Sequence, residues 1–242
     1  MGQYLQRDVK IQQIIEKLPT IDLLDLCPDF SVTVEPYSFL DGAATILDIA
    51  LLNALAQKQP NCRYLEIGTW RGESVANVSR FADKCVSISL SAIEMRDGGL
   101  GEDFICAHRF FSEGLENVEH IGHNSHNFDY SSLGKFDLIF VDGDHHPQSV
   151  KTDTENVFKL LKDENSIIVW HDYGAKVETI NRGVLAGILE GCPPENKKHL
   201  YHVSNTLCAI FIRSDFDTTY TRFPSKPTKE FVVSISAKRV EL

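Results

Sequence analysis

The sequence predicts an α/β fold in which a mostly parallel, doubly wound sheet is covered by helices on both faces. Between residues 63 and 212, short apolar segments alternate with segments of helical character. The apolar segments are rich in Val, Ile and Leu, which is typical of strands buried on both faces of a sheet. Gly68 and Gly72 follow the first of these strands, where a tight turn would lead into a helix.

Composition places the chain among globular proteins and limits its partners. It has 242 residues, of which 43% are hydrophobic and 24% charged, enough for one α/β domain with a substantial core. The net charge of −10 argues against binding to nucleic acid or to anionic membranes. No apolar run approaches the ~18 residues of a membrane span, and residues 1–10 lack the apolar core of a signal peptide. We therefore expect a cytoplasmic protein.

Six cysteines are spread singly along the chain, without a Cys-x-x-Cys pair. Several of them lie within apolar segments, where cysteine acts as a small hydrophobic residue. This pattern favours reduced structural thiols over a zinc site or a disulfide framework.

Three segments precede the first strand: an amphipathic helix, an extended stretch, and a longer helix for which Asp41 is the predicted cap. They cover Val9–Leu18, Phe30–Pro36 and Asp41–Gln57. We expect residues 1–60 to form a helical cap or lid, residues 61–213 the core, and residues 214–242 an extension of the same domain.

Seven strands are predicted in the core, and three helices lie between them. The strands are Arg63–Ile67, Cys85–Leu90, Val118–Ile121, Phe136–Val141, Ser166–Trp170, Leu200–Ser204 and Thr206–Ile212. The helices are Glu73–Ala82, Gln148–Leu161 and Val177–Leu189, and a turn at the glycines of residues 98–101 leads into Glu102–Phe111. The short junction at Asn205 indicates that the last two strands are antiparallel. The extension contains one more predicted strand, Glu230–Ala237.

The loop after the first strand has the spacing Glu-x-Gly-x-x-x-Gly, formed by Glu66, Gly68 and Gly72. This differs from the Gly-x-Gly-x-x-Gly of dinucleotide-binding sites, and Thr69 and Trp70 would crowd a diphosphate. A ligand with an amino-acid tail suits the loop better, with Glu66 placed to receive an ammonium group directly or through water. The alternative is a tight strand–helix junction without a ligand.

Residues Tyr64–Ser74 resemble the first motif of class I S-adenosylmethionine-dependent methyltransferases, in the Glu-Ile-Gly-Thr form frequent among small-molecule O-methyltransferases. Asp-Gly-Asp-His at 142–145 and His-Asp-Tyr at 171–173 are similar to late motifs of a bacterial group of these enzymes. The resemblance extends from about Arg63 to Ile212. It implies a Rossmann-like, seven-stranded sheet with a terminal antiparallel strand, and S-adenosylmethionine as the cofactor.

The resemblance also implies which residues contact the cofactor: Glu66, Gly68, Thr69, Gly72, Ser74, Ser89, Asn124, Ser125 and Asp142. In the family, an acidic residue after the second strand holds the two ribose hydroxyls. Ser89 stands near that position here, and Glu94 is the alternative group. Asn124 follows the third strand and suits adenine, because its amide both donates and accepts hydrogen bonds.

Two aspartates, Asp142 and Asp172, follow the fourth and fifth strands. If these strands are neighbours, roughly 4.8 Å apart, both carboxylates converge on one rim of the sheet. Because two close carboxylates repel each other unless a proton or a cation lies between them, a divalent cation such as Mg²⁺ is predicted at this pair. Tyr173 stands where the metal-dependent families usually have Asn, and His171 is a substitute ligand or a support.

His145 lies three residues after Asp142, where related O-methyltransferases have a lysine that removes the proton of the substrate hydroxyl. A histidine with a pKa near ~6.5 has the same capacity at neutral pH, so His145 and Asp142 are the predicted catalytic residues. His146 is the neighbouring alternative base. Asp144 and His145 alternatively form a cap for the helix that follows Pro147, without a chemical role.

Together these observations predict a methyltransferase that acts on a small molecule, with a hydroxyl oxygen as the acceptor. A scaffold protein that retains the fold without catalysis is the second hypothesis, because the ribose acid and the asparagine are missing. A nicotinamide-dependent dehydrogenase is the third, although the glycine spacing argues against it. The resemblance also allows a homodimer, for which the strand predicted in the extension is a contact.

Overall fold

A nine-stranded sheet forms the centre of the structure, a computed structural model that describes residues 16–240. Its strands are β1 (Thr20–Ile21), β2 (Arg63–Ile67), β3 (Lys84–Ser89), β4 (Val118–Gly122), β5 (Leu138–Val141), β6 (Ile167–Trp170), β9 (Leu200–Val203), β10 (Ala209–Phe211) and β11 (Thr218–Thr219). A separate hairpin consists of β7 (Gly174–Lys176) and β8 (Thr179–Ile180).

The strand order is β11-β1-β9-β10-β6-β5-β2-β3-β4. Strands β4, β3, β2, β5 and β6 are parallel, whereas β10 runs antiparallel to both β6 and β9. This confirms the predicted α/β fold and its terminal antiparallel strand. Two short strands at one end of the sheet, β11 at the edge and β1 beside it, were not predicted. The strand order reverses between β2 and β5, and in open parallel sheets ligands bind beyond the carboxyl ends of the strands at such a point.

Seven α-helices accompany the sheet in the described part of the chain. They are α1 (Leu23–Leu26), α2 (Ile46–Gln57), α3 (Glu73–Val78), α4 (Ala92–Asp97), α5 (Glu102–Ala107), α6 (Pro147–Phe158) and α7 (Arg182–Gly191). Helices α2 and α3 contribute to the hydrophobic core on one face of the sheet, and α6 and α7 to the core on the other. Between residues 16 and 240, none of the helices combines the length and the apolar character needed to cross a bilayer.

Helix α2 begins at Ile46, so the prediction that Asp41 caps it was wrong. Thr45 is the N-cap: its hydroxyl accepts a hydrogen bond from the Asp48 amide at 3.3 Å, and the Asp48 carboxylate accepts one from the Thr45 amide at 2.9 Å. This reciprocal pair satisfies two backbone donors at once, which a lone Asp41 does not do.

Three further predictions differ from the structure or lie outside it. The helix predicted from Val177 starts at Arg182, because Asn181 caps it and the preceding residues form the β7–β8 hairpin. Residues 230–237 form no strand, and Val232 and Ile235 are exposed. The helix predicted over Val9–Leu18 lies mostly outside the described residues, and residues 16–18 are not helical.

The turn after β2 depends on the absence of a side chain at Gly68. This residue has φ +87°, and a Cβ there would lie 2.0 Å from the carbonyl oxygen of Asp142. Gly99 has a similar φ of +84° but has no atom within 4 Å of its Cβ position. The two positions therefore share the backbone conformation and differ in the space available.

We predict that Gly99→Ala lowers the free energy of unfolding by about 1 kcal/mol, the cost of the left-handed conformation. Gly68→Ala should cost at least ~2 kcal/mol more, because the backbone at residue 142 must also move. Urea unfolding of both variants measures the difference. Equal losses would show that the close approach to Asp142 does not constrain the turn.

Candidate active site

The loop after β2 and the segment after β5 touch at the point where the strand order reverses. The Gly68 amide donates to the carbonyl of Ile88 at 2.9 Å, and the Asp142 amide donates to the carbonyl of Ile67 at 2.8 Å. These bonds extend the strand pairing beyond β2 and β5. The predicted cofactor loop and the predicted reactive residues therefore share one site.

Glu66 lies beneath this loop and is fully buried. Its carboxylate accepts hydrogen bonds from the hydroxyls of Tyr64 and Thr69, both at 2.7 Å, and from Ser74. Burial raises the pKa of Glu66 to about 7, although these hydrogen bonds oppose the shift. The carboxyl group anchors the loop from below. That Glu66 also receives an ammonium group of a ligand stays a prediction.

Residues 35–44 cross the glycine loop from the N-terminal side. Both terminal nitrogens of Arg71 donate to the carbonyl of Asp41 at 2.9 Å. The side chain of Asn77 accepts from the Glu35 amide at 2.7 Å and donates to the carbonyl of Pro36 at 2.8 Å. This segment therefore covers the start of α3, and a small cleft remains between residues 42–44, the loop and Asp142. That the N-terminal segment opens as a lid stays a prediction.

The predicted adenine residues lie in the turn that follows β4. The amide of Asn124 donates to Glu94 at 3.0 Å, and the side chain of Asn124 accepts from the His126 amide at 3.0 Å. The second oxygen of Glu94 accepts from the amide and the hydroxyl of Ser91, both at 2.8 Å. Glu94 thus joins the β3 and β4 loops, and both of its oxygens are engaged there.

Asp142, His145 and Asp172 converge at the ends of β5 and β6, as the sequence predicts for the two aspartates. The His145 Nε2 lies 2.7 Å from Asp172 Oδ2 and 3.7 Å from Asp142 Oδ1, so its hydrogen bond is to Asp172. The two carboxylates raise the pKa of His145 to about 10. Although burial opposes the change, hydrogen bonds from His145 and His171 hold the pKa of Asp172 well below its usual range.

His171 is buried between three carboxylates. Its Nδ1 lies 3.2 Å from both Asp142 Oδ1 and Asp172 Oδ2, and its Nε2 lies 3.1 Å from Asp48 Oδ2. Burial alone would lower the pKa of His171, but the carboxylates, Asp142 first, raise it well above the usual value. With a carboxylate at each ring nitrogen, the side chain is a buried imidazolium that offsets part of the negative charge of the three carboxylates.

Asp48 is a site residue that the sequence analysis missed. It lies on α2, is fully buried, and also accepts the amide of Leu207 at 2.8 Å. The available signal was an acid within the largely apolar helix Ile46–Gln57, since such a buried charge requires a partner.

The geometry separates the two histidines proposed as the base. Asp144 accepts the amide of His146 at 3.2 Å and the hydroxyl of Ser149 at 2.6 Å, and the ring of His146 pairs with Asp144. His146 and Asp144 therefore organise the start of α6, whereas His145 turns to the two aspartates of the rim.

We predict that the stability contribution of Glu66 falls as the pH rises. Its pKa is about 7 when folded and 4.5 normally, so the folded state binds the proton more tightly and loses stability between these values. In Glu66→Gln, residue 66 is uncharged at every pH. The free energy of unfolding of this variant should therefore rise relative to that of the wild type, by up to about 3 kcal/mol between pH 4.5 and 8. Denaturant unfolding across this range, with the exposed Glu119→Gln as the control, measures the gain. A constant difference at all pH values would contradict it.

The comparisons with known proteins agree with this geometry. Residues 65–173, which run from β2 through the His-Asp-Tyr segment after β6, match the family model of a methyltransferase domain. No curated protein sequence matches the chain.

Three solved structures are among those to which the chain is similar. The O-methyltransferase from Bacillus cereus in complex with SAH is 18% identical, with a TM-score of 0.46 over 72% of this chain and 84% of that chain. Cofactor-bound Rv0187 from MTB is 18% identical, with a TM-score of 0.49 over 73% and 84%. SAH-bound PaMTH1 from Podospora anserina is 21% identical, with a TM-score of 0.40 over 55% of each chain.

The chain spans about half the length of two further bacterial structures that it matches, 50% and 49%. At these identities the similarity concerns the fold. The family match does not depend on these structures. It covers the same residues that form the strands and loops of the site. Residues 65–173 are thus similar to a methyltransferase domain, in agreement with the resemblance of the sequence to class I S-adenosylmethionine-dependent methyltransferases.

Proposed function

We propose that this chain transfers the methyl group of S-adenosylmethionine to a hydroxyl oxygen of a small-molecule acceptor. The observation that carries the proposal is the contact between the glycine loop and the rim, where a Cβ at Gly68 would lie 2.0 Å from the Asp142 carbonyl. A cofactor bound over this loop would present its sulfonium methyl next to the carboxylates and imidazole of the rim. Such alignment of donor and acceptor is the main requirement of a direct displacement.

The cofactor contacts that we propose lie at the carboxyl ends of β2, β3, β4 and β5 or in the segments that follow them. They are Glu66, Gly68, Thr69, Gly72, Ser74, Ser89, Asn124, Ser125 and Asp142. Glu66 would act through the Thr69 and Ser74 hydroxyls, because its oxygens already accept hydrogen bonds from these groups.

In the reaction, the bond between sulfur and the methyl carbon breaks as the bond between the acceptor oxygen and carbon forms. The sulfonium becomes a neutral thioether, and the hydroxyl proton moves to a base. His145 is the proposed base, because its side chain is half exposed at the rim, whereas His171 is buried. Because the two carboxylates raise the pKa of His145 to about 10, its ring must release its own proton before it accepts this one, and Asp142 and Asp172 then stabilise the imidazolium that results.

A divalent cation fits the donor set of the rim. One atom from each of Asp142, His145 and Asp172 lies within 4.8 Å of the others, and carboxylate oxygens with an imidazole are ordinary ligands of such ions. A bound cation would supply positive charge that lowers the pKa of an acceptor hydroxyl. It would also compete with the proton that His145 holds between the carboxylates, since ligands bind metals in their deprotonated form.

We predict that S-adenosylhomocysteine raises the melting temperature of the chain. At ~100 times its dissociation constant a ligand stabilises by about 2.7 kcal/mol, which corresponds to roughly 5–10 °C for a domain of this size. Thermal unfolding with the nucleoside, with and without Mg²⁺ or Mn²⁺, and with NAD⁺ as the control, measures the shift. A further shift with a cation that disappears in Asp172→Asn would support the cation site. A shift with NAD⁺ alone would favour a dehydrogenase.

We also predict that His145→Gln lowers kcat by about 10²–10⁴-fold and leaves the affinity for S-adenosylhomocysteine unchanged, because it removes only the proton acceptor. His146→Gln is the matched control and should retain wild-type kcat, since its ring faces Asp144. Transfer of labelled methyl groups to a panel of phenols and sugars measures turnover. Cofactor binding without transfer to any hydroxyl would instead support the scaffold hypothesis.

A further inference from the structure

The end of β3 presents hydrogen-bond donors where the resemblance implies a ribose-binding acid. Ser89 is nearly buried, and its Oγ lies 3.1 Å from Arg109 Nη2 and 3.0 Å from His108 Nε2. A guanidinium can only donate, so the Ser89 oxygen accepts from Arg109. The Ser89 hydroxyl can then donate its proton to His108. Burial, with the nearby Arg109 charge, lowers the pKa of His108 to about 4, so its ring is neutral and accepts that proton.

The segment that carries Arg109 packs directly on the glycine loop. The Arg109 amide donates to the carbonyl of Trp70 at 2.7 Å, and the Phe111 amide donates to the carbonyl of Arg71 at 2.8 Å. A Cβ at Gly72 would lie 2.2 Å from the Ser112 hydroxyl, which shows how closely the two segments approach. The guanidinium therefore lies between the loop after β2 and the end of β3, within the crevice where a nucleoside ribose would lie.

Arg109 also has an unusual backbone and unused donors. Its φ of +64° is a left-handed conformation that disfavours residues with a Cβ. Its Nε is buried without a hydrogen-bond partner, and within residues 16–240 its guanidinium donates to the Ser89 hydroxyl. Within the same residues, no carboxylate lies within ion-pair distance of it. A half-buried guanidinium with free N–H groups is suited to a ligand that offers oxygen acceptors.

We propose that Arg109 binds the ribose of the nucleoside cofactor, donating hydrogen bonds to its hydroxyl oxygens. Ser89 and His108 position the guanidinium. The direction of the hydrogen bonds is therefore reversed. An acidic residue accepts hydrogen bonds from the ribose hydroxyls, whereas Arg109 donates hydrogen bonds to them. Glu94 does not take this role, because its two oxygens are engaged by Ser91 and Asn124. The inference rests on the proposed function, since it concerns the same cofactor.

Arg109→Gly is the most informative variant. Glycine adopts the positive φ without cost, so the variant removes the side chain and should retain the fold and the melting temperature. Arg96→Ala is the matched control, because Arg96 is an exposed arginine of α4 that pairs with Glu102. Arg109→Lys provides a second variant that keeps the charge but not the planar set of donors.

Titration calorimetry of S-adenosylhomocysteine and of its 2′-deoxy and 3′-deoxy analogues tests the proposal on each protein. We expect Arg109→Gly to weaken binding of the parent nucleoside by 10-fold or more, and Arg96→Ala to leave it unchanged. The wild type should bind one of the deoxy analogues about as weakly as Arg109→Gly binds the parent nucleoside. Arg109→Gly should bind that same analogue with little or no further loss of affinity. The affinity of Arg109→Lys for the parent nucleoside should lie between those of the wild type and Arg109→Gly.

Three results would overturn the inference. Arg109→Gly that binds the nucleoside like the wild type would show that the guanidinium is not a ligand-binding group. Full deoxy penalties in both proteins would show that Arg109 and the ribose hydroxyls act independently. Failure of the wild type to bind the nucleoside would overturn the proposed function together with the inference, so the two failures are distinguishable.

Discussion

The rest of the site depends on the buried imidazolium of His171. It contacts Asp142 at the end of β5, Asp172 just after β6 and Asp48 on α2, at 3.1–3.2 Å. Without this cation, three carboxylates would meet in a poorly solvated space, and removing one partner of a buried ionic cluster typically costs about 3–5 kcal/mol. The cluster fixes where the two rim aspartates point. His145 is only half buried, so it is the residue at the rim that can change its hydrogen-bond partners.

The same cluster connects the N-terminal segment to the chemistry. Asp48 belongs both to the capping box of α2 and to the rim, and it accepts the amide of Leu207 ahead of β10. Helix α2 is therefore anchored to the sheet, while residues 35–44 cross the glycine loop just before it. Movement of the crossing segment would not require α2 to leave the core.

Much of the sheet could be predicted from the sequence, because strands buried on both faces must be apolar along their whole length. The meeting of Asp142 and Asp172 followed from the same logic, since neighbouring parallel strands end at one edge. Asp48 and Arg109 could not be placed in the site, because distant segments bring them there and no local pattern records it. The start of α2 was misplaced because Asp41 and Thr45 are both good caps, and only Thr45 is followed three residues later by an acid.

The charges of the site are arranged in a direction that suits a sulfonium ligand. Arg109 places a cation beside the end of β3, Glu66 is largely uncharged below a pH of about 7, and Asp142 and Asp172 place negative charge at the rim. In the proposed complex, the neutral ribose would lie near the guanidinium and the positive sulfur near the carboxylates. The reverse orientation would bring two positive charges together in a site of low dielectric, where their repulsion is strong. An arginine at the ribose position therefore does not oppose a cationic cofactor, and it adds a reason for the cofactor to bind with its methyl group toward the rim.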